Sequence, residues 1–328
     1  MRVAAVQSLY SLRATCGCSP SPSMDANRMT TVHSKHAVAG ARRPVEPSAV
    51  ELAPLLLVAR QIRREVVRMV AAAGGGHPGG SLSCTDLLVA LYFSELRVRP
   101  EEPGWPARDR FVISKGHAAE ALYATLAMRG FLPVEELATY GQVDSRLQGH
   151  PDMTRLPGIE MSTGALGAGF SAALGMALGC RMRGGSERTY VLLGDGECQE
   201  GEVWEAAWVA SRYALDNLIA IVDFNSLQQV GWEGREPGTR EAPWTLDGLS
   251  ALWAAANWDV RVIDGHDIAD ILAALEATHA VRDRPAVIIA RTVKGRGVSF
   301  MEGRPEWHSK VPTPEQLALA LTELDEDD

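Results

Sequence analysis

The sequence lacks long apolar runs and has few cysteines, and each shortage excludes a class of protein. No run of about 18 or more apolar residues occurs in the 328-residue chain, which excludes a membrane-spanning helix. The five cysteines are odd in number and show no spacing typical of a zinc site, so we expect a reducing, cytoplasmic location without a disulfide framework. Basic residues are outnumbered, 32 against 41 acidic ones, and the net charge of −9 argues against nucleic-acid binding.

The composition is that of an ordinary globular protein, with 46% hydrophobic and 22% charged residues. Residues 1–47 differ from the rest, because they are rich in arginine and serine, poor in acids and without a sustained apolar period. We predict a disordered leader over residues 1–47 and one domain over residues 48–328. An organellar transit peptide, or a true start at Met24 or Met29, would also explain the first segment.

Short apolar, β-branched runs alternate with longer helical patterns after residue 50. A helix-spaced apolar pattern follows Val50, and helical patterns of about ten residues or more separate most of the later runs. This alternation predicts an α/β fold with a doubly wound, mostly parallel sheet and helices on both faces. Ligands in such sheets bind beyond the carboxyl ends of the strands. The predicted strands are residues 111–113, 190–193, 218–222, 260–263 and 286–289.

Four of the eight histidines directly follow a glycine. A single histidine is more often a surface or core residue than a functional one. A histidine on a glycine loop at a strand end, however, is placed to face a cleft, and its ordinary pKa suits proton transfer near neutral pH. We therefore expect a functional role for the set, which consists of His77, His117, His150 and His266.

A glycine-rich segment at 161–169 precedes a predicted helix at about 170–182. Glycines before a helix let backbone amides approach an anion, and the helix N-terminus favours negative charge. Small residues that allow close helix packing would produce a similar string, so both interpretations stay open.

Two strand ends carry oxygen-bearing side chains in a specific order. Asp195 lies in a Gly-Asp-Gly turn after one strand, and Asn225 follows the next strand thirty residues later. Adjacent parallel strands joined by one helix bring such tips together. A carboxylate and an amide oxygen suit Mg²⁺ if a diphosphate and water complete the octahedron. Two unrelated polar turns are the alternative, and they explain this pairing poorly.

The segment from Gly-Asp-Gly to Asn resembles the thiamine diphosphate fingerprint, and the wider set of motifs resembles transketolase. The resemblance covers about residues 55–312, and it implies the thiamine diphosphate-binding fold of the diphosphate type. The motifs that carry it, in order, are Gly76-His77-Pro78-Gly79-Gly80, Ser114-Lys115-Gly116-His117, Gly149-His150-Pro151, Ser162-Thr163-Gly164-Ala165-Leu166-Gly167, Gly194-Asp195-Gly196, Asn225-Ser226-Leu227, Asp264-Gly265-His266, Thr292-Val293-Lys294-Gly295-Arg296-Gly297 and Trp307-His308.

The resemblance implies roles for individual residues. Asp195, Asn225 and the carbonyl of Leu227 would bind Mg²⁺. His77, His150, His308 and His117 would form the catalytic set, along the channel where donor and acceptor exchange protons. The contacts to thiamine diphosphate would come from His117, Gly164, Ala165, Leu166, Asp195, Gly196, Glu200, Asn225 and His308.

Two of these expectations concern the surroundings of the site. The resemblance places Glu200 at a subunit interface, linked to the activating residue of a partner. His266 has an alternative interpretation, since a Gly-His-Asp turn can simply cap the next helix.

The resemblance also implies an incomplete enzyme. A complete transketolase is about twice as long and has a second, pyrimidine-binding domain, which this chain does not reach. We therefore expect the diphosphate-binding subunit of a split transketolase, which pairs with a C-terminal pyrimidine-binding subunit in an α2β2 assembly. The pair would transfer a two-carbon ketol unit from a ketose phosphate or related donor to an aldose acceptor.

Two alternatives remain open at this point. One is a subunit of another thiamine diphosphate enzyme, such as a 2-oxoacid dehydrogenase or a deoxyxylulose-phosphate synthase. The other is a non-catalytic binding protein that retains an old fold.

Overall fold

Five parallel strands form the centre of the computed structural model, which describes residues 49–229 and 245–326. The predicted leader at 1–47 lies outside the described residues. The strand order is β1-β2-β3-β5-β4, which is a doubly wound arrangement. All five predicted strands and the α/β fold class are confirmed. The strands are β1 (Arg110–Ile113), β2 (Thr189–Gly194), β3 (Leu218–Phe224), β4 (Asp259–Asp264) and β5 (Ala286–Arg291).

Nine α-helices connect and cover these strands within the described residues. Shorter turns of 3-10 or π helix occur at residues 91–95, 116–118, 134–139, 197–199 and 305–308. The helices are α1 (Ala49–Ala73), α2 (Pro78–Ser83), α3 (Thr85–Ala90), α4 (Ala119–Arg129), α5 (Ala168–Met182), α6 (Gly201–Arg212), α7 (Leu246–Ala255), α8 (Ile268–Thr278) and α9 (Pro314–Glu326).

Alternate strand residues face opposite sides of the sheet and pack into two hydrophobic clusters. In β2, Leu192 joins the cluster that also holds residues of α1, α3, α4, α8 and α9. Its neighbours Val191 and Leu193 join the cluster on the other face, with residues of α5, α6 and α7. Since β1, β2, β3 and β5 are covered on both faces, these four strands are apolar along most of their length, which is why they could be found in the sequence.

Two expectations from the sequence concern membrane-spanning helices and disulfides, and the described residues bear on both. None of these helices combines the length and apolar character needed to span a bilayer. Cys84, Cys180 and Cys198 are free thiols. Cys16 and Cys18 lie outside the described residues.

Candidate functional site

A cavity of about 480 Å³ opens at the carboxyl ends of the strands. Loops that follow β1, β2, β3 and β5 line it, together with the loops before α2 and α5 and the turn at 305–308. Of the predicted site residues, Ala165 does not line the cavity, although both of its neighbours do. The predicted residues that line it are His77, His117, His150, Gly164, Leu166, Asp195, Gly196, Glu200, Asn225, Leu227 and His308.

Four histidine rings lie against one another on one side of the cavity. The ring centroid of His77 lies 5.8 Å from that of His117, 5.7 Å from that of His150 and 5.4 Å from that of His308. Burial lowers the pKa of His77, although the nearby Glu120 acts in the opposite direction. Burial, with Lys115 next in importance, holds the pKa of His117 well below its usual range.

Burial and the neighbouring Lys294 lower the pKa of His308 to about 4. The rings of His77, His117 and His308 are therefore neutral near pH 7, and each carries one donor and one acceptor nitrogen. Such rings can pass protons to or from the hydroxyl groups of a sugar.

Asp195 follows β2 directly and links it to the loop after β3. Its carboxylate accepts hydrogen bonds from the backbone amides of Gly196, at 2.9 Å, and Ser226, at 2.8 Å. Burial, followed by repulsion from Asp223, raises the pKa of Asp195 to about 6. Burial and repulsion disfavour the ionised form of Asp195, so a cation bound in the cavity would stabilise that form.

Asn225 is oriented by the groups around it. Its Nδ2 atom lies 3.3 Å from a carboxylate oxygen of Asp223, to which it donates, and its Oδ1 atom accepts from the Leu227 amide at 3.1 Å. The Leu227 carbonyl accepts from Lys294 Nζ at 3.2 Å. Each of these oxygens keeps a second lone pair that could bind a metal.

The structure of the glycine-rich segment at 161–169 agrees with both interpretations that its sequence left open. Gly164 lines the cavity, as an anion-binding loop would. Close packing also holds, because a Cβ atom on Gly169 would lie 2.7 Å from the Cα atom of Ser114. The buried carboxylate of Glu197 fixes the loop by accepting from the amides of Gly167, at 2.9 Å, and Gly194, at 3.0 Å.

His266 lies outside the group that lines the cavity, so the expectation of a cleft-facing role is wrong for this member of the set. Its Nδ1 atom pairs with Asp86 at 2.8 Å, and its Nε2 atom accepts from the Val293 amide at 2.8 Å. The next residue, Asp267, caps α8 by accepting from the amides of Ala269 and Asp270. The alternative of a helix-capping turn therefore describes this motif.

Several cavity residues were not predicted from the sequence. Lys294 stands out because its Nζ atom lies 3.2 Å from His308 Nδ1, and burial lowers its pKa to about 8. Lys115 lies in the Ser-Lys-Gly-His motif, in which only His117 was predicted as a site residue. The basic side chain of Lys115 was the available signal. The other additional lining residues are Gly80, Gly194, Glu197, Gln199, Gln228 and Gln229.

The side chains present fit a magnesium diphosphate. Within the described residues no three histidine, cysteine, aspartate or glutamate side chains group around a possible metal position. A cation at Asp195 would therefore need the oxygens of Asn225, Leu227 and a bound diphosphate, which is the set that suits Mg²⁺. His77 Nδ1 is buried without a hydrogen-bond partner among the described residues. This free polar atom and the bare glycine backbone fit a polar ligand in the cavity.

Comparison with known proteins agrees with this geometry. Residues 56–322 match the family described as transketolase, thiamine diphosphate binding domain. The chain is 43% identical to one subunit of the apulose-4-phosphate transketolase of Phocaeicola vulgatus, over 84% of this chain and 96% of that protein. It is 42% identical to the 6-deoxy-6-sulfo-D-fructose transketolase subunit SqwG of a Clostridium species, over 82% of this chain and 95% of that protein.

Full-length transketolases are also similar, but over less than half of their length. Human transketolase is 38% identical over 83% of this chain and 42% of its own. A crystal structure of transketolase from Pichia stipitis superimposes with a TM-score of 0.76 and 32% identity, over 82% of this chain and 40% of that one. These similarities confirm the predicted resemblance to the diphosphate-binding part of transketolase, and the chain belongs to the transketolase family of thiamine diphosphate-binding domains.

Proposed function

We propose that this chain is the magnesium- and diphosphate-binding subunit of a heteromeric transketolase. The observation that carries the proposal is the cavity at the carboxyl ends of the strands, where Asp195, Asn225 and four histidines come together. Part of this cavity offers oxygens for a cation, and its imidazoles suit proton exchange with a sugar. The reaction is the transfer of a two-carbon ketol unit from a ketose to an aldose.

The residues of this chain would divide the work of binding. Asp195, Asn225 and the Leu227 carbonyl would hold Mg²⁺, and Gly164, Gly196 and His117 would contact the diphosphate. When bound, thiamine diphosphate supplies the carbanion stabilisation that cleavage of a carbon–carbon bond requires.

The histidines would act on the sugars. His77, His150 and His308 would hold the hydroxyl groups of donor and acceptor and move their protons as the carbon–carbon bond breaks and forms. The low pKa values of His77 and His308 keep these two rings neutral, so each can accept a proton at one nitrogen while it donates at the other.

We infer that a second polypeptide completes the enzyme. The two relatives that match nearly end to end are named as subunits, and the chain spans 42% of human transketolase. Beside the cavity, Leu166 is 38% exposed, and on α6 Trp208 is 62% and Val209 37% exposed. Neighbouring exposed apolar side chains such as Trp208 and Val209 are typical of an interface when they belong to a larger apolar patch. The partner would carry the pyrimidine-binding half, with two copies of each subunit in the assembly, and Glu200 at the cavity rim would face it.

The donor is proposed to be a ketose with an anionic substituent. The names of the two subunit relatives specify a phosphorylated and a sulfonated sugar. A cytoplasmic location stays a prediction.

The test is a donor panel with the chain and its partner purified together. Apulose 4-phosphate, 6-deoxy-6-sulfo-D-fructose, fructose 6-phosphate and pyruvate are each supplied with glyceraldehyde 3-phosphate, thiamine diphosphate and Mg²⁺, and products are followed by mass spectrometry. We expect one or more sugars to lose two carbons to the acceptor. Consumption of pyruvate alone, with release of carbon dioxide, would instead place the enzyme among those acting on 2-oxoacids.

A further inference from the structure

We propose that helix α4 positions the catalytic histidines, with Glu120 anchoring the His77 loop and Tyr123 anchoring the His150 loop. This inference rests on the proposed function for the roles of the two histidines. The contacts that support it are made by the helix itself, and none of them involves a metal or cofactor.

The Glu120 side chain is completely buried, and both of its carboxylate oxygens accept hydrogen bonds from groups on or near the His77 loop. Its Oε1 atom accepts from the His77 amide at 2.7 Å and from the Tyr140 hydroxyl at 2.6 Å, while Oε2 accepts from the Ser81 hydroxyl at 2.9 Å. The bond from the His77 amide ties the loop directly to α4, and the bonds from Tyr140 and from Ser81 in α2 fix the orientation of the carboxylate that accepts it.

The loop is also built to receive this carboxylate. Gly76 has a φ of +140°, and a Cβ atom there would lie 2.5 Å from Glu120 Oε1. Glycine is therefore required both by the backbone conformation and by the close approach of Glu120.

Tyr123 makes the corresponding contact to the second loop. Its hydroxyl lies 2.8 Å from the carbonyl oxygen of Gln148 and 3.1 Å from that of His150, and donates to them. Glu120 and Tyr123 are three residues apart, which places them side by side on one face of α4. One rigid helix thus holds two loops that have no regular structure of their own at His77 and His150.

The consequence is a fixed gap between two catalytic rings. The centroids of His77 and His150 are 5.7 Å apart. Proton transfer requires the donor and acceptor atoms to lie within about hydrogen-bond distance of each other. A displacement of about 1 Å can reduce the rate by up to about 100-fold. Loosening either anchor should therefore reduce turnover without removing any group from the cavity.

The first test compares Tyr123→Phe with Thr125→Val in the full chain co-purified with its partner. Thr125 is a matched control, since its buried hydroxyl on the same helix bonds to the Ala121 carbonyl of that helix, at 2.7 Å. Hydrogen exchange followed by mass spectrometry needs neither cofactor nor sugar, so it tests positioning even if the proposed reaction proves wrong. For Tyr123→Phe we expect exchange at residues 146–153 to be about fivefold faster. Equal exchange in Tyr123→Phe and wild type, or equal loosening in the threonine control, would overturn the proposal.

The second test uses Glu120 and a conservative rescue. In Glu120→Gln the amide oxygen can still accept from His77 and Tyr140, and the amide nitrogen can donate to Ser81, whereas Glu120→Ala keeps none of these bonds. We expect kcat with a ketose donor to fall at least about tenfold in Glu120→Ala and to stay within about threefold of wild type in Glu120→Gln. Faster exchange at residues 74–80 should accompany only the alanine variant. Unchanged kcat and exchange in Glu120→Ala would contradict the inference.

Discussion

The ammonium group of Lys115 is paired with the carboxylate of Asp223 in the interior of the protein. Their side chains are 1% and 0% exposed. Asp223 also accepts a hydrogen bond from Ser83 in α2, at 2.5 Å, and one from Thr292 beyond β5. One buried carboxylate therefore holds the ends of several elements together directly beneath the cavity.

Removing one partner of this pair should be costly. In Asp223→Ala the Lys115 ammonium stays buried without its counter-charge, and such a loss typically lowers the free energy of unfolding by about 3–5 kcal/mol. Chemical denaturation measures the effect. The double variant Lys115→Met, Asp223→Ala should be more stable than Asp223→Ala alone, because no unpaired charge is left. If the double variant is as unstable as the single one, the charge pair is not the cause.

Asp195→Asn should remove Mg²⁺-dependent binding of thiamine diphosphate, because it deletes the one carboxylate of the proposed metal set. We expect the affinity to fall by about 100-fold, as measured by isothermal titration calorimetry in the presence of Mg²⁺. Asp264→Asn is the control, since Asp264 also ends a strand, β4, but does not line the cavity. Equal affinities for the two variants would refute the metal assignment, and a wild type without Mg²⁺-dependent affinity for the cofactor would favour a non-catalytic binding protein.

Gly116→Ala should disturb the proposed diphosphate loop. A Cβ atom at this position would lie 2.8 Å from the backbone carbon and from the hydroxyl of Thr163, so the loop would have to move. We expect cofactor affinity to fall by about tenfold or more, at a cost of about 1–3 kcal/mol in stability. Gly201→Ala should leave both unchanged, because nothing lies within 4 Å of a Cβ atom there. Tight cofactor binding by Gly116→Ala would show that the loop does not contact the diphosphate.

The histidine cluster predicts a pH dependence of stability. The pKa of His308 is about 4 in the folded protein, against 6.5 for an ordinary histidine. Between these values the unfolded chain binds a proton that the folded one does not, so the free energy of unfolding falls as the pH is lowered from 6.5 to 4. The free energy of unfolding should fall between pH 7 and pH 5 in wild type by about 1 kcal/mol more than it does in His308→Gln, once solvent screening is allowed for. The same difference in both proteins would contradict this account.

The sheet could be predicted from the sequence because buried parallel strands appear as short continuous apolar runs. The positions of Asp195 and Asn225 followed from the strand ends. The anchors of the site could not be found in this way. Glu120 bonds to His77 across 43 residues, and Lys115 pairs with Asp223 across 108. Contacts between polar side chains so far apart leave no periodic pattern in the sequence.

His266 shows the opposite error. A glycine before a histidine marks a sharp turn, but it does not specify which side of the turn the ring faces, and His266 faces Asp86. The resemblance implies a cofactor contact for Ala165, and this stays a prediction, because the neighbours Gly164 and Leu166 line the cavity and Ala165 does not. The orientation of single residues in a loop depends on packing that sequence motifs do not describe.

Assays of the separate and combined subunits test whether this chain supplies one half of a transketolase site. The most direct measurement is ketol transfer by the purified chain, by its partner and by the two together, at equal concentrations with thiamine diphosphate, Mg²⁺, a ketose phosphate and an aldose acceptor. We expect turnover only for the combined subunits, with neither half active alone. Robust ketol transfer by this chain alone, or none by the co-purified pair with any phosphorylated or sulfonated ketose, would contradict it.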